Sequence, residues 1–326
     1  MTRLNIIVTG GAGFIGSNLV DRLIEEGHKV IVIDNLITGK KENVNREAKF
    51  YKMDICDEKI RDIFKNEKIN VVYHNAAQID VQKSINNPVF DGDVNILGTI
   101  NILEACKDAN VKKIIYSSTA AVYGEPEYLG IDENHPINPI SFYGISKYTP
   151  EQYIKTYSKL YGIDYTIFRY ANAYGIRQDP KGEGGVIAIF MDKLFKGESP
   201  TIFGDGTATR DFIYVEDIVE ANIKALHKGS KEVFNIGTGK ATSINELYYL
   251  MKEIMDVDIE VEYGKERDGD IKHSFFKIVK AKEKLGWSPK YNLEEGLSKT
   301  IKYYEKLLTK ESKNEVAASR IIDREP

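Results

Sequence analysis

The stretch from Thr9 to Gly16 limits the possible folds of this chain more than any other, because three glycines stand in it at a fixed spacing. Gly10, Gly13 and Gly16 follow an apolar run, 4–8, which predicts a short buried strand. A stripe of apolar residues with helical spacing comes next. Glycines let a backbone turn approach a diphosphate, and the helix start offers unpaired N–H groups to that anion. Strand, glycine turn and helix together therefore predict a dinucleotide-binding site.

Strand and helix patterns alternate up to Tyr170 and change after it. The further strands predicted in this first part are 29–33, 49–53, 70–74, 113–117 and 165–170. Such alternation predicts an α/β fold, with a doubly wound parallel sheet that carries helices on both faces. We therefore expect a dinucleotide-binding domain at 1–172, to which a segment near 211–237 returns.

The second part of the chain has a mixed order of elements, which predicts a smaller C-terminal substrate domain at 173–309. Residues 171–175 have the composition of a turn, and a last helix is predicted over 293–308. The polar stretch 310–326 is expected to be a loose tail.

Composition excludes several classes of partner. The chain has 326 residues and a net charge of −4, which gives no reason to expect nucleic-acid binding. No apolar run approaches the length of a membrane span, and the N-terminus enters a strand without a leader pattern. Cys56 and Cys106 lie far apart and are expected to be free thiols in a reducing cytoplasm. Histidines are few and no His/Cys pairs stand at ligand spacing, so no metal site is expected.

Asp34 indicates which dinucleotide binds. It ends the second predicted strand, eighteen positions after Gly16. An acidic side chain there accepts hydrogen bonds from an adenosine ribose and repels a 2′-phosphate. The sequence therefore predicts NAD rather than NADP, the alternative being a solvated loop aspartate.

Residues after the next strands extend the predicted cofactor site. Asp54 and Ile55 are expected near the adenine. Ala76 and Ala77 are small residues at a strand's carboxyl end, where they let the cofactor lie close to the backbone. Asn95 could face the cofactor, or it could be a polar residue near a helix start.

Tyr143 and Lys147 stand four residues apart on a predicted helix and so share one face. A tyrosine has a pKa of ~10, which is too high for a base at neutral pH. A nearby ammonium and a positive nicotinamide ring would both favour the phenolate. The phenolate could then take a proton from a substrate hydroxyl, which Thr119 could hold, while the neighbouring carbon gives up a hydride. By itself the Tyr/Lys pair is a common surface pattern, so its meaning depends on the glycine turn and Thr119.

The motifs together resemble those of a known family. They are the glycine turn, Asp34-Asn35-Leu36, Asp54-Ile55, Ser117 to Gly124, Tyr143 with Lys147, Arg169 to Asn172, Thr209-Arg210-Asp211, Asn235-Ile236-Gly237, and Arg267 with Asp270. They span positions 4 to 300 or so. This set resembles the extended short-chain dehydrogenase/reductase family, and within it the nucleotide-sugar 4-epimerases of the UDP-glucose 4-epimerase type.

The resemblance implies an activity and a role for each matching residue. The activity is NAD-dependent inversion at C4 of a UDP-hexose through a transient 4-keto sugar, by a homodimer. Tyr143 would be the base, Lys147 its partner, and Thr119 the residue that positions the hydroxyl. The implied cofactor residues are Gly10, Gly13, Phe14, Ile15, Gly16, Asp34, Asn35, Gly39, Asp54, Ile55, Ala76, Ala77, Gln78, Asn95, Ser117, Tyr143, Lys147 and Tyr170. The implied substrate residues are Thr119, Tyr143, Asn172, Gly185, Val186, Phe203, Arg210, Arg267, Asp270 and Ser274.

Charge gives the implied uridine site a physical basis. Arg210 and Arg267 would neutralise a diphosphate through charge-assisted hydrogen bonds, and Asp270 would accept from the uridine ribose. Surface salt bridges are the simpler interpretation of all three residues.

Other functions of the same family remain as alternatives. Dehydratases carry an Asp-Glu pair directly after the threonine, where this chain has Ala120 and Ala121, which cannot act as acid or base. Decarboxylation or reduction of a nucleotide sugar is a further alternative. A non-catalytic NAD-binding protein need not keep Thr119, Tyr143 and Lys147 together. Pro150 lies inside the helix of the pair and predicts a kink just after it.

Ser274 carries a hypothesis about the substrate range. In the family, the position four residues after the ribose-binding aspartate is near C2 of the sugar, and a tyrosine there resembles enzymes restricted to glucose and galactose. A serine leaves space and offers a hydroxyl to an acetamido group. We therefore expect acceptance of UDP-GlcNAc and UDP-GalNAc as well, unless Ser274 merely begins the next element.

Overall fold

Seven parallel strands form the centre of the fold in a computed structural model that describes residues 2–180, 185–266 and 271–322, the side chains only through residue 309. The sheet strands are β1 (Asn5–Thr9), β2 (Lys29–Asp34), β3 (Lys49–Lys52), β4 (Val71–His74), β5 (Lys113–Thr119), β6 (Asp164–Tyr170) and β11 (Glu232–Ile236). Their order is β11-β6-β5-β4-β1-β2-β3, and every neighbouring pair is parallel. The strand order reverses beside β1, so a crevice opens between β1 and β4 at their carboxyl ends. The predicted doubly wound α/β fold is confirmed.

The remaining strands are short and lie outside this sheet. They are β7 (Asn172–Tyr174), β8 (Thr201–Phe203), β9 (Thr209–Arg210), β10 (Phe212–Tyr214), β12 (Thr242–Ser243) and β13 (Glu262–Gly264). They pair as β7 with β10, β8 with β13, and β9 with β12. The segment 171–175, predicted as a turn, therefore contains a strand. That prediction was wrong because the partner of β7 is far along the chain, where local composition gives no signal.

The helices cover both faces of the sheet and build the C-terminal part. They are α1 (Phe14–Glu25), α2 (Ile60–Glu67), α3 (Val81–Asn86), α4 (Pro88–Gly92), α5 (Gly98–Asp108), α6 (Phe142–Tyr161), α7 (Val186–Phe195), α8 (Val215–Ala225), α9 (Ile244–Met255) and α10 (Leu293–Ile322). None of the described helices is both long and apolar enough to cross a membrane. The last helix does not end at residue 308 as predicted but continues to Ile322, because the charged stretch after 309 contains no helix-breaking glycine or proline before Pro326. The division into domains at residue 172 stays a prediction, although β11 comes from the segment 211–237.

Two apolar layers hold these helices on the sheet. Leu19, Val20 and Leu23 of α1 pack on one face with residues of α8, while α2, α5 and α6 pack on the other. The interior strand β1 is buried on both sides, which explains its continuous apolar run.

A buried ion pair ties α6 to the sheet. Arg169 on β6 donates from Nε to Glu151 Oε1 at 2.9 Å and from Nη2 to Oε2 at 2.6 Å. Glu151 is fully buried and Arg169 is 3% exposed. Ser118 on β5 donates its hydroxyl to the same Oε1 at 2.7 Å. The helix is continuous through Pro150, and the kink there stays a prediction.

Removing the negative charge of this pair should destabilise the protein strongly. Glu151→Gln leaves the Arg169 guanidinium buried without a counter-charge, so we expect the free energy of unfolding to fall by ~3–5 kcal/mol. Urea denaturation followed by circular dichroism measures it. Asp192→Asn, which breaks the surface pair with Lys196, is the matched control and should cost less than ~1 kcal/mol. Equal losses in the two variants would contradict the structural role of the buried pair.

Candidate active site

A cavity of about 340 Å³ lies at the carboxyl ends of β1, β2, β4, β5 and β6. Most of the predicted site residues that the structure describes line it. These are Gly10, Gly13, Phe14, Ile15, Gly16, Asp34, Asn35, Ile55, Ala76, Ala77, Ser117, Thr119, Tyr143, Lys147, Tyr170, Asn172 and Gly185. The candidate cofactor residues and the candidate catalytic residues therefore share one cavity.

The glycine turn, here called the glycine cradle, is packed too closely against neighbouring backbone to admit side chains. A Cβ on Gly10 would lie 2.8 Å from the backbone nitrogen of Ala76, and Gly10 has a φ of +68°. A Cβ on Gly16 would lie 2.1 Å from the carbonyl oxygen of Gly10. The start of α1 has no side-chain cap and no acidic residue in its first turn, so its N–H groups are available to an anion. These features fit the diphosphate of a dinucleotide.

Asp34 lines the cavity and is held there by backbone N–H groups. Its Oδ2 accepts a hydrogen bond from the Ala12 N–H at 2.9 Å, and its Oδ1 accepts from the Leu36 N–H at 2.8 Å. Burial raises the pKa of this carboxyl. Gly39 lies behind it, because a Cβ there would come within 2.7 Å of Oδ1. The two carboxylate oxygens keep further lone pairs for ribose hydroxyls.

Asp54 supports a neighbour rather than lining the cavity. It accepts a hydrogen bond from the Asn35 amide at 2.7 Å, and Asn35 is a lining residue. A direct contact between Asp54 and the cofactor stays a prediction.

Gln78 and Asn95 also lie outside the lining and bind each other. The Gln78 N–H donates to Asn95 Oδ1 at 2.8 Å, and Asn95 Nδ2 lies 2.9 Å from both the Gln78 carbonyl oxygen and Ser146 Oγ. They thus hold the loop after β4 against α6. A cofactor contact for either side chain stays a prediction.

Lys147 is the most perturbed charged group at the cavity. It is 3% exposed, and its Nζ lies 4.5 Å from the centre of the Tyr116 ring. Burial lowers the pKa of Lys147 to about 7, against the opposing influence of the Glu151 and Asp91 carboxylates. A buried amine with a pKa near neutrality, in a cavity with a tyrosine, is typical of a catalytic centre.

Tyr143 and Thr119 complete the candidate catalytic group. Tyr143 lies one turn before Lys147 on α6, and Ser84 on α3 fixes its backbone by accepting from its N–H at 3.2 Å. Thr119 ends β5, and its Oγ1 accepts from the Ala121 N–H at 3.2 Å. The Thr119 hydroxyl therefore still has its proton to donate.

A second cavity of about 170 Å³ contains two predicted substrate residues. Its lining consists of Phe203, Gly204, Asp205, Ala208, Arg210, Glu266, Ile271 and Lys272. Arg210 Nη1 donates to the carbonyl oxygen of Thr209 at 2.9 Å. Arg267 and Asp270, which the resemblance assigns to uridine binding, lie outside the described residues.

Ser274 and Val186 line neither of these two cavities. The Ser274 N–H donates to the carbonyl oxygen of Thr209 at 3.1 Å, so Ser274 is tied to β9 beside Arg210. Val186 begins α7, directly after the lining residue Gly185. Substrate contacts of both side chains stay predictions.

Several lining residues were not predicted from the sequence. They include Thr38, Ile79, Val94 and Gln178. Gln178 is buried and donates to the carbonyl oxygen of Ala173, in a loop whose course depends on distant contacts. No local pattern marks these positions.

A metal site is absent from the part of the chain that the structure describes. Across residues 2–180, 185–266 and 271–309, no three His, Cys, Asp or Glu side chains cluster in a way that could hold a metal ion.

Comparison with known proteins gives the relatives of this chain. A family model described as the NAD dependent epimerase/dehydratase family matches residues 6–237. The chain is 53% identical to a putative UDP-glucose 4-epimerase of Methanocaldococcus jannaschii over 91% of its length and 97% of the relative's.

Two solved structures have the same fold at substantial identity. A UDP-glucose 4-epimerase of Thermotoga maritima, solved with UDP-glucose, gives a TM-score of 0.92 at 50% identity, over 94% of this chain and all of that one. A UDP-N-acetylglucosamine 4-epimerase of Methanobrevibacter ruminantium, in complex with UDP-N-acetylmuramic acid, gives a TM-score of 0.90 at 39% identity, with coverage of 94% and 100%.

The predicted resemblance is thus confirmed. The glycine cradle, the strand order and the matched length agree, and the chain belongs to the NAD dependent epimerase/dehydratase family.

Proposed function

We infer that the protein is an NAD-dependent 4-epimerase that interconverts UDP-glucose and UDP-galactose. One observation carries the chemistry: the glycine cradle, Asp34, Thr119, Tyr143 and Lys147 line a single cavity. Relatives at 53% and 50% identity with the matching names supply the substrate class.

The described residues fit NAD, and different residues would bind different parts of it. The turn at 10–16 would bind the diphosphate through backbone N–H groups, and Asp34 would accept from the adenosine ribose. Lys147 would bind the nicotinamide ribose. NAD supplies, when bound, a carbon that accepts a hydride from the substrate and gives one back.

Proton transfer would involve three side chains: Thr119 at the end of β5, and Tyr143 and Lys147 on α6. Thr119 would hold the C4 hydroxyl, and Tyr143 as phenolate would take its proton. The Lys147 ammonium would stabilise that phenolate, since an opposite charge nearby favours the ionised form. After the 4-keto sugar turns over, Tyr143 would return the proton to the oxygen on the inverted carbon.

Dehydration of a nucleotide sugar is the rival reaction within the family. It needs an acid and a base after the threonine, and Ala120 and Ala121 carry only methyl groups there. Both lie in a short 3-10 turn that follows Thr119 directly. The composition of this turn favours epimerisation.

The UDP moiety is proposed to extend from the main cavity toward the smaller one. Arg210 and Lys272 line that smaller cavity and offer positive charge to a diphosphate. Arg267 and Asp270 remain part of this proposal on the resemblance alone.

A homodimer and a cytoplasmic location complete the proposal. Apolar side chains are exposed along the outer side of α6 and beside it; among them are Val89, Leu97, Ile145, Leu160 and Tyr161, each at least 46% exposed. Ile145 and Leu160 lie on the side of α6 opposite Glu151 and Ile154, which are buried. A second copy of the chain would cover this face. The location rests on the sequence expectation alone.

Charge placed on this face should separate the dimer. Leu97→Glu and Ile145→Glu would each put a carboxylate into a desolvated interface, so we expect monomers in sedimentation-velocity experiments at micromolar concentration. Lys302→Glu, at an exposed position of α10, is a control for added charge. A wild-type protein that sediments as a monomer would refute the dimer.

Tyr143→Phe should abolish most of the activity without loss of the cofactor. The change keeps the ring and removes only the ionisable oxygen, so turnover of UDP-galactose should fall by ~10²-fold or more. Tyr148→Phe, on the same helix, serves as the matched control and should keep near-normal turnover. Released NAD, measured by chromatography after denaturation, should be unchanged in both. Substantial turnover by Tyr143→Phe would remove Tyr143 from the role of base.

Ser274 is proposed to admit N-acetylated sugars. Wild type should then epimerise UDP-GlcNAc as well as UDP-glucose, and Ser274→Tyr should lose only the acetylated substrate because the ring fills the space. Ser274→Ala keeps the space and should accept both substrates. NMR of the C4 products measures each rate. The hypothesis fails if wild type ignores UDP-GlcNAc, or if Ser274→Tyr slows both substrates equally.

A further inference from the structure

A buried histidine joins the glycine turn to the helix of the candidate catalytic pair. His74, at the carboxyl end of β4, is fully buried, as is Thr9, and Thr99 is 1% exposed. The His74 Nδ1 lies 2.8 Å from Thr9 Oγ1, and its Nε2 lies 2.9 Å from Thr99 Oγ1. None of these three side chains takes part in the proposed chemistry.

The directions of the hydrogen bonds in this series follow from the groups at its two ends and from the charge of the ring. The Ala76 N–H can only donate, and it donates to Thr9 Oγ1 at 3.2 Å. The Asn95 carbonyl oxygen can only accept, and it accepts from the Thr99 hydroxyl at 2.6 Å. Thr99 Oγ1 must therefore accept from His74 Nε2–H. Burial keeps the ring neutral, so Nε2 carries its only ring N–H proton, and Nδ1 accepts from the Thr9 hydroxyl.

The two ends of this series of hydrogen bonds lie in different parts of the candidate active site. Ala76 lines the main cavity, and its nitrogen lies 2.8 Å from the position that a Cβ on Gly10 would take. Asn95 binds Ser146 Oγ at 2.9 Å, and Ser146 donates to the carbonyl oxygen of Tyr143 at 3.1 Å. The hydrogen bonds thus connect Thr9 and Ala76, beside the glycine turn, with the backbone carbonyl of Tyr143, and the covalent bonds of Asn95 join the two parts of the series.

The surroundings keep His74 in its neutral form. Burial, together with the charge of Lys147, lowers the pKa of His74 to about 3. Its ring packs against Tyr116, and the Lys147 ammonium lies 4.5 Å from the centre of the Tyr116 ring. The tautomer therefore persists at any pH at which the enzyme would work.

We propose that His74 is a positioning residue: it fixes the glycine turn through Thr9 and the start of the catalytic helix through Thr99. The hydrogen bond between His74 and Thr9, the first arm, helps to retain the cofactor. The hydrogen bond between His74 and Thr99, the second arm, helps to place Tyr143. The second arm rests on the proposed role of Tyr143, whereas the first depends only on NAD binding.

Variants that keep one arm at a time test this division. Asparagine places an oxygen near the position of Nδ1, so His74→Asn keeps an acceptor for Thr9 and loses the donor to Thr99. Glutamine places an NH₂ group near Nε2, so His74→Gln keeps the donor and loses the acceptor. Two readouts are measured on the purified holoenzyme: the rate at which bound NAD is lost during dialysis, and kcat with NAD in excess.

The two variants should differ in opposite ways. His74→Gln should lose NAD about 10-fold faster than wild type with nearly normal kcat, the scale of one lost buried hydrogen bond. His74→Asn should retain NAD and show a kcat lowered about 10-fold. Thr9→Val should reproduce the first pattern and Thr99→Val the second, which keeps the test decisive if a His74 variant fails to fold.

Thr166→Val is the control for simple destabilisation. Thr166 is fully buried on β6 and donates to the carbonyl oxygen of Gly229, away from the cavity. Loss of this hydrogen bond should lower Tm without changing the rate of NAD loss or kcat. The proposal is overturned if the His74 variants behave like Thr166→Val, or if His74→Asn and His74→Gln change both readouts equally. Faster NAD loss in His74→Gln with no kcat effect in His74→Asn would keep the first arm and refute the second, whereas the role of Tyr143 as base is decided separately by Tyr143→Phe.

Discussion

The buried pair of Glu151 and Arg169 is the interaction on which the rest of the site depends. Two charges away from water are stable only when they neutralise each other and their remaining lone pairs are used. The bidentate contact and the Ser118 hydroxyl meet that condition. Because Ser118 precedes Thr119 and Glu151 lies one turn after Lys147, one ion pair sets the register between the strand and the helix that supply the candidate catalytic groups. A loss of this pair would therefore displace both.

Burial also determines the charges around the cavity. Lys147 has a pKa near neutrality because it is desolvated, and it lies in a region where His74 is kept neutral. A second positive charge in that layer would oppose protonation of Lys147 further. The glycine turn contributes no charge of its own and binds through backbone dipoles. The charge of the region that would face nicotinamide and sugar thus depends on the Lys147 ammonium. The protonation state of Lys147 is therefore sensitive to small changes nearby.

Local signals made most of the fold and the cofactor site predictable. A short window of sequence is enough to recognise the glycine spacing, the buried strand β1 and the acid at the end of β2. The structure places these features around one cavity. Residues such as Gln178 line the cavity through long-range contacts that no sequence window contains. Asn95 illustrates a different limit: its position was predicted near the site, but its amide is used by Gln78 and Ser146. The strand Asn172–Tyr174 was missed because its hydrogen bonds are made to residues about forty positions later.

The position of β11 at the edge of the sheet has a consequence for synthesis on the ribosome. β11 pairs only with β6, and Asn235 on it accepts the hydroxyl proton of Tyr123, which in turn accepts from Arg169. A nascent chain that has emerged no further than residue 230 has all the residues of the glycine turn and of α6, yet its β6 is an unpaired edge. Parallel pairing across such a sequence separation is slow to form. The hydrogen bonds that support α6 through Arg169 are therefore completed late in translation, and premature termination products would expose the unpaired edge of β6.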